Sequence, residues 1–163
     1  MWKQQGAEPM VHWQLDSRVP YDGQSATFDL FSGKKTTVGD LRVTLTRNPL
    51  QLKQGGDLFD WSVQLVMSGG GMVEATDPYK NLAPEAGYEP VLVFTQTKND
   101  PKWTRSLTKT FYVRLSKGQY GRVLIDLTMN SLRPDTGISI ESWINPAGSR
   151  NLEFDEAKVI KPK

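Results

Sequence analysis

Hydrophobic and polar positions alternate along most of this 163-residue chain. In residues 41–47, Leu41, Val43 and Leu45 share one face, while Arg42, Thr44 and Thr46 share the other. Residues 61–65 repeat the pattern, as do 111–116, 120–128 (Val123, Ile125 and Leu127 inward) and 138–142. A period of two, carried by β-branched and aromatic residues, predicts half-buried strands with one face to the core and one to water. Shorter strands are expected at 12–15, 27–31, 72–75 and 91–97. Breakers separate these runs: Asp22-Gly23, Ser32-Gly33, Gly55-Gly56, Gly69-Gly70-Gly71, Asn99-Asp100-Pro101 and Lys117-Gly118. Lys117-Gly118-Gln119 reads as a hairpin turn, its glycine supplying a positive φ. No window keeps helical spacing over three turns, and a short turn at 84–87 is the most expected.

About eight to ten short strands with little helix predict an all-β fold, an antiparallel β-sandwich of immunoglobulin-like or jelly-roll-like type. Its expected core is Trp61, Phe111, Val113, Val123, Ile125, Ile138 and Ile140. The length suits one domain over residues 1–163, with flexible ends near 1–8 and 157–163. A boundary at 48–57 would leave two units too small to bury adequate cores.

Composition removes several chemistries. The chain has no cysteine, so disulfides, thiolate nucleophiles and Cys-based metal centres are excluded. His12 is the only histidine, and no Gly-x-Ser-x-Gly elbow exists; a nucleophilic triad or a tetrahedral zinc site therefore lacks its parts. No cofactor is expected. A net charge of +2, with basic residues scattered singly, gives no nucleic-acid footprint. No apolar run approaches the length of a membrane span, so membrane insertion is not expected. The opening Met-Trp-Lys-Gln-Gln-Gly lacks the apolar core of a signal peptide. The expectation is an exported chain, periplasmic, cell-surface or extracellular, whose leader is absent here; a cytosolic one is the alternative.

Polar motifs have a bland and a sharp reading. Ser68-Gly69-Gly70-Gly71 runs into another strand-like piece instead of opening a helix, so a flexible hairpin or edge turn is expected, not a phosphate cradle. Asp57, Asp60, Glu74 and Asp77 could pair as hydrolytic acids or hold calcium, but solvated turn carboxylates are the default. Residues 74–90 form a long segment without strand periodicity, holding Tyr79 and Tyr88 between prolines. Rings on a stiffened loop suit sugar stacking or a protein partner; the alternative is that they fold back over the sandwich. Trp103 is a ligand platform or, preferably, a lid on the core. Trp143 falls with Ser139 and Glu141 on the outward face of its strand. After Asn145-Pro146, Arg150 and Asn151 are positioned to bond loop carbonyls, so Asn145, Arg150 and Asn151 read as a structural latch at a corner. Leu152 and Phe154 then return to the core by alternation.

Four stretches, residues 68–79 (SGGGMVEATDPY), 83–90 (APEAGYEP), 111–127 (FYVRLSKGQYGRVLIDL) and 144–153 (INPAGSRNLE), carry a resemblance. From about Asp60 onward the chain is similar to the C-terminal part of large uncharacterised exported bacterial proteins. Those proteins carry carboxypeptidase-regulatory-like or immunoglobulin-like β modules. The resemblance implies an exported β module and assigns no functional residue. The resulting expectation is a non-enzymatic module for binding or adhesion, recognising carbohydrate or protein through Tyr79, Tyr88, Trp103 and Trp143. The alternative is an assembly subunit that self-associates or packs on another chain through sheet edges and the Trp143 face. A hydrolase working through paired carboxylates is the third reading.

Overall fold

The computed structural model describes residues 6–21, 23–53, 58–76 and 81–161, with backbone alone at 52 and 53. Two sheets face each other. The first is ordered β11-β1-β10-β9-β8-β6 and the second β3-β2-β4-β5-β7. In chain order the strands are β1 (Met10–Pro20), β2 (Ala26–Asp29), β3 (Lys34–Thr36), β4 (Leu41–Arg47), β5 (Trp61–Met67) and β6 (Gly71–Glu74). They continue with β7 (Val91–Gln96), β8 (Ser106–Arg114), β9 (Tyr120–Thr128), β10 (Asp135–Asn145) and β11 (Val159–Ile160). All pairings are antiparallel except that of β11 on β1. The fold is thus an all-β sandwich.

Alternation sets the burial. On β4, Leu41, Val43 and Leu45 are fully buried, and β5 answers with Val63, Leu65 and Met67 in register. Across the sandwich, Phe111, Val123, Ile125, Ile138 and Ile140 fill the facing layer. This cluster draws residues from Val11 through Ile144, and it contains every core position expected from sequence. Trp13 lies within it and donates its indole N–H to the Leu30 carbonyl at 2.7 Å, which satisfies the one polar atom such a ring buries. Asp40 accepts the Leu30 amide at 2.9 Å, and its burial pushes the carboxyl above the usual range. Ser142 is the exception on the core face: it is fully buried and its hydroxyl has no partner.

Several elements differ from the sequence expectation. β1, β8 and β10 are each longer than the alternating runs suggested, because β1 pairs with β10 over ten positions and β8 with β9 over nine. Helix appears at α1 (Pro49–Lys53) and in a 3-10 turn (Glu156–Lys158), not at 84–87. Asn48 caps α1, its side chain accepting the Leu50 amide at 3.0 Å, a local bond that needs no three-turn periodicity. Residues 6–8 and 157–160, near the ends expected to be flexible, are tied together. Lys158 donates to the Ala7 carbonyl at 2.6 Å, and β11 pairs with Met10 and Val11.

The triple glycine is a crossover between the two sheets, not a hairpin, since β5 and β6 belong to different layers. It is also tightly enclosed. A Cβ at Gly70 would stand 2.0 Å from the Arg114 carbonyl oxygen, and one at Gly71 would stand 2.8 Å from the Tyr88 Cβ. Gly69 turns with φ +70 against Ser116. The glycines are there so that this chain can pass against the β8–β9 hairpin.

Candidate functional site

The side chains singled out from sequence fall into three places. Tyr88 and Trp103 are turned inward by hydrogen bonds at their polar ends. Tyr88 donates its hydroxyl to the Pro84 carbonyl at 2.8 Å, and its ring lies 5.9 Å from that of Tyr120. Burial pushes its phenol far above the ordinary range, so it stays neutral at any physiological pH. Trp103 donates its indole N–H to the Phe59 carbonyl at 2.8 Å and meets the Phe59 ring edge-on at 5.5 Å. It packs against the main core as a lid. Tyr79, like Asp57 and Asp77, lies outside the described residues.

Trp143 does sit on the outer face of the six-stranded sheet, but it is not bare. His12, its cross-strand partner, stacks on it with centroids 5.2 Å apart and planes at 14°. Phe154 closes the group edge-on, 5.1 Å from His12. Phe154 therefore does not return to the core as alternation suggested. The chain beyond Leu152 no longer belongs to a paired strand until β11, so parity does not govern it. His12 also bonds Glu141 through Nε2 at 2.9 Å, so its ring is held on both sides.

Asn145, Arg150 and Asn151 form the corner at the end of β10. Asn145 is fully buried; its Nδ2 donates to the Asn151 carbonyl at 2.9 Å and to Glu8 at 3.3 Å, and its Oδ1 accepts the Ala147 amide. Asn151 Nδ2 donates to the Gly6 carbonyl at 2.9 Å. Arg150 Nη1 donates to the Ala83 carbonyl at 3.0 Å, and Nη2 pairs with Glu85 at 3.2 Å. The corner joins the N-terminal segment, the loop after β6 and the last turn. Arg150→Ala is expected to lower stability by about 1 kcal/mol, most of it from the Ala83 bond, because Glu85 is exposed and its pairing is screened. A chemical denaturation midpoint unchanged from wild type would count against that.

The remaining acids have structural partners. Asp60 accepts from the Lys98 amide at 2.7 Å and from Gln51 at 3.1 Å, while Glu74 pairs with Lys109 at 2.7 Å. Among the described residues no group of three metal-ligating side chains converges. A cavity of about 550 Å³ opens beside β6, lined by Val73, Leu82, Tyr112 and Arg150 among others. Its walls at Thr76 and Asn81 flank the undescribed 77–80.

The surface that sequence reasoning did not single out is the outer face of the five-stranded sheet at β5 and β7. Here Ser62, Gln64, Val66, Val91, Val93 and Thr95 of β5 and β7 stand together without a charge, flanked on β4 by Thr44, Thr46 and, opposite Val66, Arg42. Hydroxyl pairs link its rows, with Thr46 to Ser62 at 2.6 Å and Ser25 to Thr44 at 2.8 Å. Val91 and Val93 are 42% and 57% exposed. The signal was present in Val-Leu-Val-Phe, apolar on both faces of a strand, where a solvated face should have been polar. No helix among the described residues is long and apolar enough to cross a membrane. No family model matches the chain, and neither does any curated protein or solved structure.

Proposed function

We propose that this β-sandwich is a non-enzymatic binding module whose partner is a protein chain, engaged at the uncharged β5–β7 face. The carrying observation is the contrast between the two kinds of surface. Of the rings proposed to stack on a sugar, Tyr88 and Trp103 are half-buried with their polar ends bonded to backbone carbonyls, Trp143 is covered by His12 and Phe154, and Tyr79 lies outside the described residues. The β5–β7 face exposes β-branched and hydroxyl side chains on a rigid sheet. A stacking site for pyranose rings needs open aromatic faces, whereas a flat apolar strip with satisfied hydroxyls suits another protein surface. Export belongs to the same reading and rests on the sequence resemblance alone.

A photo-crosslinking residue in place of Val93 is expected to give discrete protein adducts in the producing cell. The same residue in place of Leu132, which is 94% exposed in the loop between β9 and β10, is expected to give none. Equal labelling at the two positions, or a positive polysaccharide array with no adduct at Val93, would reject the proposal.

A further inference from the structure

The C-terminal segment reaches over the outer face of the six-stranded sheet, and its hold on the fold changes at Leu152. Asn151 and Leu152 are 5% and 1% exposed and anchor the corner. From Glu153 to Ile160 no residue is buried. Segments with few buried contacts open locally, at a lower free energy than the packed ladders beside them.

Few bonds tie this segment to the sandwich. β11 pairs with β1 at two positions, Val159 with Met10 and Ile160 with Val11, and Lys158 Nζ donates to the Ala7 carbonyl at 2.6 Å. The 3-10 turn before β11 is closed within itself. Asp155 accepts the Ala157 amide on its side chain and the Lys158 amide on its carbonyl, both at 2.9 Å, and Glu156 accepts the Val159 amide. The N-terminal segment has ties of its own, since Gly6 and Glu8 accept from Asn151 and Asn145. Detachment at Leu152 therefore breaks the short β11 ladder, the Lys158 bond and the contacts of Phe154, and leaves the latch in place.

The seat of Phe154 is set by the sheet, not by the segment that fills it. Trp143 and His12 are cross-strand partners in the ten-position β1–β10 ladder, and their rings stack on each other. Glu141, on the same strand as Trp143, holds the His12 ring through Nε2 at 2.9 Å. Phe154 meets the pair edge-on, 5.1 Å from His12 and 6.4 Å from Trp143. We propose that residues 153–160 are a strap that detaches while the sandwich stays folded, uncovering a seat that takes the aromatic side chain of a protein partner. The occupant gives the chemistry: a stacked ring pair receives a phenyl ring edge-on, an arrangement that the ring quadrupoles favour.

This seat lies on the six-stranded sheet and does not depend on the β5–β7 face. Closed, the strap is a tethered competitor: Phe154 stands two residues beyond the anchored Leu152, and so short a tether supplies its ring at an effective concentration of millimolar order. A partner ring meets only the opened fraction of molecules, and its apparent affinity is reduced by that fraction. Removing the Phe154 ring lifts the competition and leaves the Trp143–His12 pair, which the β1–β10 ladder holds.

Hydrogen exchange in rising, sub-denaturing urea tests the strap. The amides of β11 and its turn are expected to exchange through an opening that urea barely accelerates, while those of the β9–β10 ladder follow global unfolding. Equal protection and an equal urea slope for the two sets would place the strap in the cooperative unit of the sandwich and overturn the proposal. The seat is tested by titrating N-acetylphenylalaninamide, to about tens of millimolar to match the tethered ring, into the full chain and its Phe154→Ala variant. The indole and imidazole NMR signals of Trp143 and His12 are expected to shift several-fold more in the variant, and N-acetylleucinamide is expected to leave them in place. Equal shifts in the two proteins, equal shifts from the two amides, or no shift in the variant would each reject the seat. The variant is expected to keep its β9–β10 protection; losing it would show that Phe154 supports the sandwich itself, against a detachable strap.

Discussion

Gly70→Ala should destabilise the sandwich by about 3 kcal/mol or more, the range of severe overpacking. The added Cβ would stand 2.0 Å from the Arg114 carbonyl oxygen, far inside contact distance, and the obstacle is backbone. Arg114 cannot retreat easily. It ends β8 between Tyr120 of β9 and Gly71 of β6, so moving it disturbs both ladders. The other flank is closed as well, since Gly71 lies against Tyr88. Gly118→Ala supplies the comparison. Gly118 has φ +87 but nothing within 4 Å of its would-be Cβ, so only the left-handed backbone is penalised, at about 1 kcal/mol. Urea denaturation of the two variants separates clash from conformation. Equal losses would show that the crossover can relax, and that its glycines are there for flexibility after all.

The sandwich was legible because its central strands are half-buried. β4, β5 and β9 alternate cleanly, and their parity assigns Leu41, Val63 and Ile125 to the core without knowledge of the neighbours. The triple glycine was legible only as a breaker. That β5 and β6 belong to opposite layers depends on which strands pair, and a glycine that admits a neighbouring carbonyl looks the same in sequence as one that merely bends. The orientation of the aromatic residues was illegible for a related reason. Tyr88 and Trp103 occupy irregular segments where no period tells inward from outward, and single carbonyls, those of Pro84 and Phe59, decide it. Trp143 was placed on the correct face by parity, but its cover comes from Phe154, beyond the end of the paired strand. Edge status is the least legible property of all. Val-Leu-Val-Phe would suit a central strand equally well, and only the strand order leaves it at the border.

Asn145→Asp tests the corner by changing one atom group without changing volume. In the native protein the Asn145 Nδ2 group donates to the Asn151 carbonyl at 2.9 Å and to the Glu8 carboxylate at 3.3 Å. An introduced carboxylate would place oxygen against both acceptors in a fully buried position. Burial and the facing Glu8 disfavour its charged form, so its folded pKa lies above the unfolded value of about 3.9. The sign follows from linkage. A carboxyl that binds its proton more tightly when folded contributes its full share of stability below about pH 3.9 and loses it as pH rises through the folded value. Below that range the protonated group can still donate an O–H to the Asn151 carbonyl. The variant should therefore be close to wild type in acid and about 2–4 kcal/mol less stable at neutral pH, the loss expected for an uncompensated buried acceptor pair. Asn145→Ala removes the donor without adding charge, so its deficit of about 2 kcal/mol should lack the growing loss with pH that an introduced carboxylate produces. The measurement is the difference in denaturation free energy from wild type at each pH, which cancels the titration of groups away from the corner. A flat difference for Asn145→Asp would mean that water reaches the corner, and that the latch is looser than its hydrogen bonds imply.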